Sequence, residues 1–94
     1  VFVFTPKGDV IDLPEESSPV DFAFSVHSDI GRRMAGAKVN SKLVSLDTKL
    51  KNGDIVEIVT KKSGFPSAKW IPFAKTAIAK KHIRAALAKN KKLR

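Results

Sequence analysis

The sequence predicts an α+β fold in which a mixed sheet curls across one helix, followed by a basic helical extension. Three observations carry this. Two short β-branched and aromatic runs open the chain around a Pro-Lys-Gly-Asp turn. A single well-capped helical stretch follows, and the most strand-like run, Ile55–Thr60, is launched by Asn52-Gly53-Asp54. Charge then divides the chain. Residues 1–60 hold seven Lys/Arg against nine Asp/Glu, whereas residues 61–94 hold eleven Lys/Arg and no carboxylate.

Val1–Thr5 and Val10–Leu13 flank the turn Pro6–Asp9 and read as a hairpin that Pro14 ends. From Ser18 to Gly31 the spacing predicts a helix. Ser18 suits the N-cap, Pro19 the first helical position and Asp21 the positive end of the dipole. Gly31 suits a left-handed C-cap. At about 100° per residue, Asp21, Ser25, Ser28 and Asp29 gather on one side, and Val20, Phe22, Ala23, Phe24, Val26 and Ile30 on the other. His27 falls inside the apolar arc. A helix this short needs a sheet to bury that arc.

Arg32–Gly36 reads as a loop running into a strand over Ala37–Asn40. Asn40-Ser41 is a turn, Lys42–Val44 a short strand, and Leu46–Leu50 a connection with two apolar anchors. The nearly continuous apolar character of Ile55–Thr60 predicts a central strand buried on both faces. The order strand, strand, helix, strand, short strand, strand is that of a ubiquitin-like β-grasp, its terminal strands side by side through a right-handed crossover.

The boundaries expected are 1–61 for the β-grasp and 62–94 for a linker and basic extension. In the extension, Ser67 caps one turn over Ala68–Ile71 that Pro72 cuts short. Thr76 caps a helix over Ala77–Lys89 with a narrow stripe of Ala79, Ile83, Ala86 and Leu87, expected to pack weakly on its own domain.

Ninety-four residues make one small core. With no cysteine and two histidines far apart, no disulfide, metal site or cofactor is expected. No apolar run reaches membrane-span length, and a chain opening on Val1 reads as a domain from a longer cytoplasmic protein. The glycines are isolated turn positions and the carboxylates are dispersed, so no catalytic residue is expected.

Val3–Asp9, Pro19–Phe24 with Val26–Gly31, Gly36–Asn40 and Leu50–Ile58 resemble the TGS domain of RelA/SpoT-type (p)ppGpp synthetase/hydrolases. Pro66-Ser67 before Trp70 and the basic helix resemble the segment that follows it. The resemblance implies a non-catalytic regulatory domain in the stringent response, bound to the ribosome and wrapping the CCA 3′ end of deacylated tRNA. The active sites would lie elsewhere in the parent enzyme.

Candidate residues follow from that implication. His27 can stack on a terminal adenine and bond a free ribose hydroxyl, or it is a histidine held by the backbone near a helix end. Arg32, Arg33 and Lys38 can hold phosphates beside it, with Lys7 and Lys42 weaker choices. Lys80, Lys81, Arg84, Lys89, Lys91, Lys92 and Arg94 form either a phosphate-binding face or a solvated one. Trp70 and Phe73 read as core anchors before base-stacking groups. Alternative partners are acyl carrier protein, through the basic tail, and the enzyme's own catalytic domains.

Overall fold

The computed structural model describes residues 1–92, with side chains as far as Lys89. The opening hairpin pairs β1 (Phe2–Phe4) with β2 (Val10–Asp12), Val3 standing opposite Ile11. Gly8, at φ +95°, turns the chain between them. A second sheet has the order β4 (Lys42–Val44), β3 (Met34–Val39), β5 (Val56–Thr60), all antiparallel. Asn40 and Ser41, both at positive φ, make the tight turn between β3 and β4. A parallel bridge from Phe4 to Ile55 joins the two sheets, so the terminal strands do lie side by side. Phe4 N–H donates to Asp54 O at 2.8 Å and Gly53 N–H to Phe2 O at 2.9 Å. This is the ubiquitin-like β-grasp.

β5 is not the doubly buried central strand its apolar run suggested. β3 is central, and Ile55 and Val59 keep 48% and 36% of their surface exposed on the outward face. Only Val56 and Ile58 turn toward the helix. Ala35 makes a bulge in β3, between Met34 opposite Thr60 and Gly36 opposite Val59.

The expected single helix is two. α1 runs Pro19–Val26 and α2 runs Ser28–Arg32, with His27 extended between them. At the start of α1 Ser18 is the N-cap the sequence suggests, its Oγ accepting from Val20 N–H, and Asp21, expected only to favour the dipole, also accepts from Ser18 N–H and completes a capping box. Gly31 is not a left-handed cap. It lies inside α2, where a Cβ would stand 2.4 Å from Phe24 Cδ1, so its role is close approach to the ring.

Every residue from Pro19 to Phe24 is buried, Asp21 included, so α1 has no polar face along that run. It serves two cores. Phe22 enters a cluster with Val3, Leu13, Leu50 and Val56 beneath the sheet. Val20, Ala23 and Phe24 enter another with Met34, Trp70, Ala74, Ala79 and Ile83.

The second cluster corrects the expectation of a weakly packed extension. A 3₁₀ helix, Ala68–Phe73, seats Trp70 in the core, and α3 (Ala77–Lys92) buries Ala79 and Ile83 completely. Ser67 Oγ caps the 3₁₀ turn by accepting from Lys69 N–H. Pro72 does not cut it short, because the absent N–H removes one bond and the chain continues to Phe73. Thr76 Oγ1 accepts from Ala79 N–H, as its N-cap position suggested. Among the described residues, no helix is long and apolar enough to cross a membrane.

Candidate nucleic-acid interface

The break at His27 builds the centre of the candidate site. α1 ends as His27 N–H donates to Ala23 O. The residue then extends, and its Nδ1 accepts from Asp29 N–H at 3.0 Å, making the imidazole the N-cap of α2. With Nδ1 used as an acceptor, the neutral tautomer compatible with this bond carries its proton on Nε2. His27 is exposed, and the periodicity that placed it in the apolar arc fails because the helix stops one residue earlier.

Asp29 and Arg32 pair across one turn of α2, the guanidinium donating to Asp29 Oδ1. That hydrogen bond first, and the charge of Arg32 second, hold the Asp29 carboxyl below its usual range. Arg33 closes α2, its side chain exposed and its carbonyl accepting from Lys61 N–H at 3.0 Å. A Cβ at Gly64 would stand 2.4 Å from that carbonyl oxygen, so the linker lies directly against the end of α2.

The structure does not bring Lys38 into this group. On β3, Ala37 is buried toward the helix layer, and Lys38 turns the other way, opposite Glu57 and Leu43 on the outward face. Sequence proximity to Arg33 hid the alternation. Lys7 sits in the hairpin turn and Lys42 on β4, both exposed and on other elements.

The basic helix also divides. His82 stacks on Phe24 with centroids 5.8 Å apart and planes 3° from parallel. His82, Ala85, Ala86 and Lys89 line a pocket of about 270 Å³ with Arg32 of α2. At about 100° per residue, Lys80 and Arg84 lie on the opposite flank of α3, and Lys81 points outward between the two flanks. So Lys89 and His82 join the Arg32 side, and Lys80, Lys81 and Arg84 form a separate face. The side chains of Lys91 and Lys92, and Arg94 entirely, lie outside the described residues.

Two residues went unrecognised in the sequence. Asp21, 1% exposed, accepts from Lys75 N–H at 2.9 Å and from Thr76 N–H and Oγ1 at 2.8 Å each, besides Ser18 N–H at 3.0 Å. It ties the first turn of α1 to the entry of α3. Its i+3 spacing from Ser18 could have pointed to the capping box, but nothing local signals partners more than fifty residues away. His82 carries no signal in the sequence, because a lone histidine on a lysine-rich helix makes no pattern.

The profile of the TGS domain matches residues 1–60. A GTP pyrophosphokinase of Myxococcus xanthus is 56% identical over 84 residues, covering 89% of this chain and 11% of the relative. A guanosine-3′,5′-bis(diphosphate) 3′-pyrophosphohydrolase of Aquifex aeolicus is 47% identical over 94 residues, covering 100% and 14%. A bifunctional (p)ppGpp synthase/hydrolase RelA of Mycobacterium tuberculosis is 50% identical over 94 residues, covering 98% and 13%. The chain thus spans between 11% and 14% of these relatives' length.

Proposed function

The chain belongs to the TGS domain family, and from that premise we propose that it is a non-catalytic regulatory domain of a (p)ppGpp synthetase/hydrolase that reads the 3′ end of deacylated tRNA on the ribosome. The observation that carries the reading is the geometry of His27. Its ring is exposed at a helix break, oriented by the bond from Asp29 N–H, with Arg32 and Arg33 at the other end of the same short helix, five and six residues on. An imidazole held in one orientation can stack on a terminal base and direct Nε2 at a ribose hydroxyl. An aminoacyl group on that hydroxyl removes the contact by bulk, so one side chain separates uncharged from charged tRNA. Arg33, and Arg32 in part, supply phosphate contacts that fix register without reading sequence. Binding then biases distant catalytic domains through contacts that differ between two states of the enzyme.

The test compares deacylated tRNA, aminoacylated tRNA and tRNA lacking its terminal adenosine, bound to the chain and to His27→Ala at two salt concentrations. The expected result is a preference for the intact uncharged end that disappears in His27→Ala. Equal binding of all three RNAs, weakened only by salt, refutes 3′-end sensing by this domain.

A second reading rests on the separate cationic face of Lys80, Lys81 and Arg84. Turned away from the Arg32 flank, it suits an acidic protein partner such as acyl carrier protein, or an acidic surface of the enzyme's own catalytic half. Charge reversal at Lys80, Lys81 and Arg84 is expected to abolish such binding and to leave the 3′-end preference in place.

A further inference from the structure

The three-stranded sheet has two edges, and only one is protected. β4 is three residues long and opens on exposed Lys42, the short charged edge that discourages pairing with another chain. β5 is five residues long, and beyond the bridge at Ile55 no strand among the described residues covers its outer side. Backbone alternation shows which groups are free. Asn40 N–H donates to Ile55 O and Lys61 N–H to Arg33 O, so the odd-numbered residues between them turn toward β3. The N–H groups of Ile58 and Thr60, and the carbonyls of Val56, Ile58 and Thr60, therefore face outward.

Beside this edge lies a groove of about 260 Å³, walled by Pro6, Val26, Ile30, Val56 and Ile58. No lysine or arginine lines it, so it offers no cation to a phosphate backbone. Just past the strand, Lys61 and Lys62 are exposed.

We propose that the open edge of β5 and this groove receive an extended peptide segment of a protein partner, with acidic residues at the end that meets Lys61 and Lys62. The segment adds as a strand, pairing its main chain with Ile58 and Thr60. Alternate side chains, about 7 Å apart along such a strand, drop on the side of Val26 and Ile30 and are apolar. Main-chain pairing provides affinity, the groove selects side chains, and the two lysines set direction. The site uses neither His27 nor the arginines, so it stands whether or not the RNA reading does.

The experiment is selection from a random decapeptide library displayed on phage, followed by synthesis of the enriched peptide and of a version N-methylated at alternate residues. Alternating apolar residues with an acidic end are expected. At saturation the amides of Ile58 and Thr60 should exchange at least about tenfold more slowly. N-methylation should weaken binding by about tenfold, one or two net hydrogen bonds. Val26→Lys should weaken it similarly with the Trp70 emission of the folded chain retained, and His27→Ala should leave it unchanged. The proposal is overturned if no alternating sequence is enriched, if the N-methylated peptide binds equally well, or if only a CCA-ending oligonucleotide protects those amides.

Discussion

Replacing Asp21 is expected to be the most damaging single change that leaves every apolar contact in place. Its carboxylate accepts from Ser18 N–H, Lys75 N–H, Thr76 N–H and Thr76 Oγ1 while only 1% exposed. Each bond to a charged acceptor contributes about 1.5–3 kcal/mol net, and such contributions within one network do not add. Water can reach Lys75, which is exposed, so part of the loss is recovered. Asp21→Ala should therefore cost about 3–5 kcal/mol. Asp21→Asn retains one acceptor oxygen but turns an amide N–H toward backbone donors, for about 2–4 kcal/mol. At about 4–8 °C per kcal/mol for a chain of this size, the alanine variant should melt about 12–40 °C lower. Urea unfolding followed by the emission of Trp70, the single tryptophan and a buried one, measures the difference. Thr76→Val removes both a donor to Asp21 and the cap acceptor of Ala79 N–H, so it should cost about 2–4 kcal/mol, of which the cap's share of about 0.5–2 kcal/mol remains when Asp21 is already alanine. An Asp21→Ala chain within about 1 kcal/mol of the parent would refute the assignment of this carboxylate as the junction of the two helices.

Other substitutions test separate parts of the structure. Gly31→Ala places a Cβ against the Phe24 ring and should destabilise by about 1–3 kcal/mol through overpacking, measured by the same unfolding curves. Ile83→Ala opens a fully buried site in the cluster shared with α1 and should cost about 2–5 kcal/mol in one cooperative transition. Two transitions would mean that α3 unfolds apart from the β-grasp. Arg32→Ala should raise the Asp29 titration midpoint observed by NMR toward the ordinary carboxylate range. The sign follows from linkage. A carboxyl depressed in the folded state contributes stability above its unfolded value, lost as pH falls through the folded value. Because both partners are exposed, the unfolding free energy at neutral pH should barely change.

Local rules carried most of the fold. The turns at Gly8, at Asn40-Ser41 and at Gly53 were readable because each needs a backbone conformation few residues accept. The Ser18 and Thr76 caps were readable because the acceptor lies within three residues of the donor. The stripe Ala79, Ile83, Ala86 and Leu87 was readable as apolar, but its narrowness suggested weak packing because the cluster it enters is not visible in the sequence. Periodicity ran straight through His27, since an imidazole serving as an N-cap leaves no mark on the apolar pattern. Gly31 looked like a helix end because its tight contact with Phe24 exists only once the two helices fold back together. Asp21 looked solvated because its partners, Lys75 and Thr76, are distant in sequence. Of the candidate cations, Arg32 and Arg33 stayed with His27 because they share one short helix. Lys38 was lost to the alternation of a strand, and Lys80 and Arg84 to the rotation of α3.

A single carboxylate at Asp21 gives α1 and α3 nearly a common origin, which makes α3 a lever. Its 16 residues reach about 24 Å from that point, so one degree of tilt at the hinge moves the far end by about 0.4 Å. The burial of Ala79, Ile83 and Ala86, with the His82–Phe24 stack five residues into the helix, opposes this swing. A partner that engages Lys89 thus acts at a long arm from Asp21. The stack joins that arm to Phe24, the ring that Gly31 approaches one turn from His27.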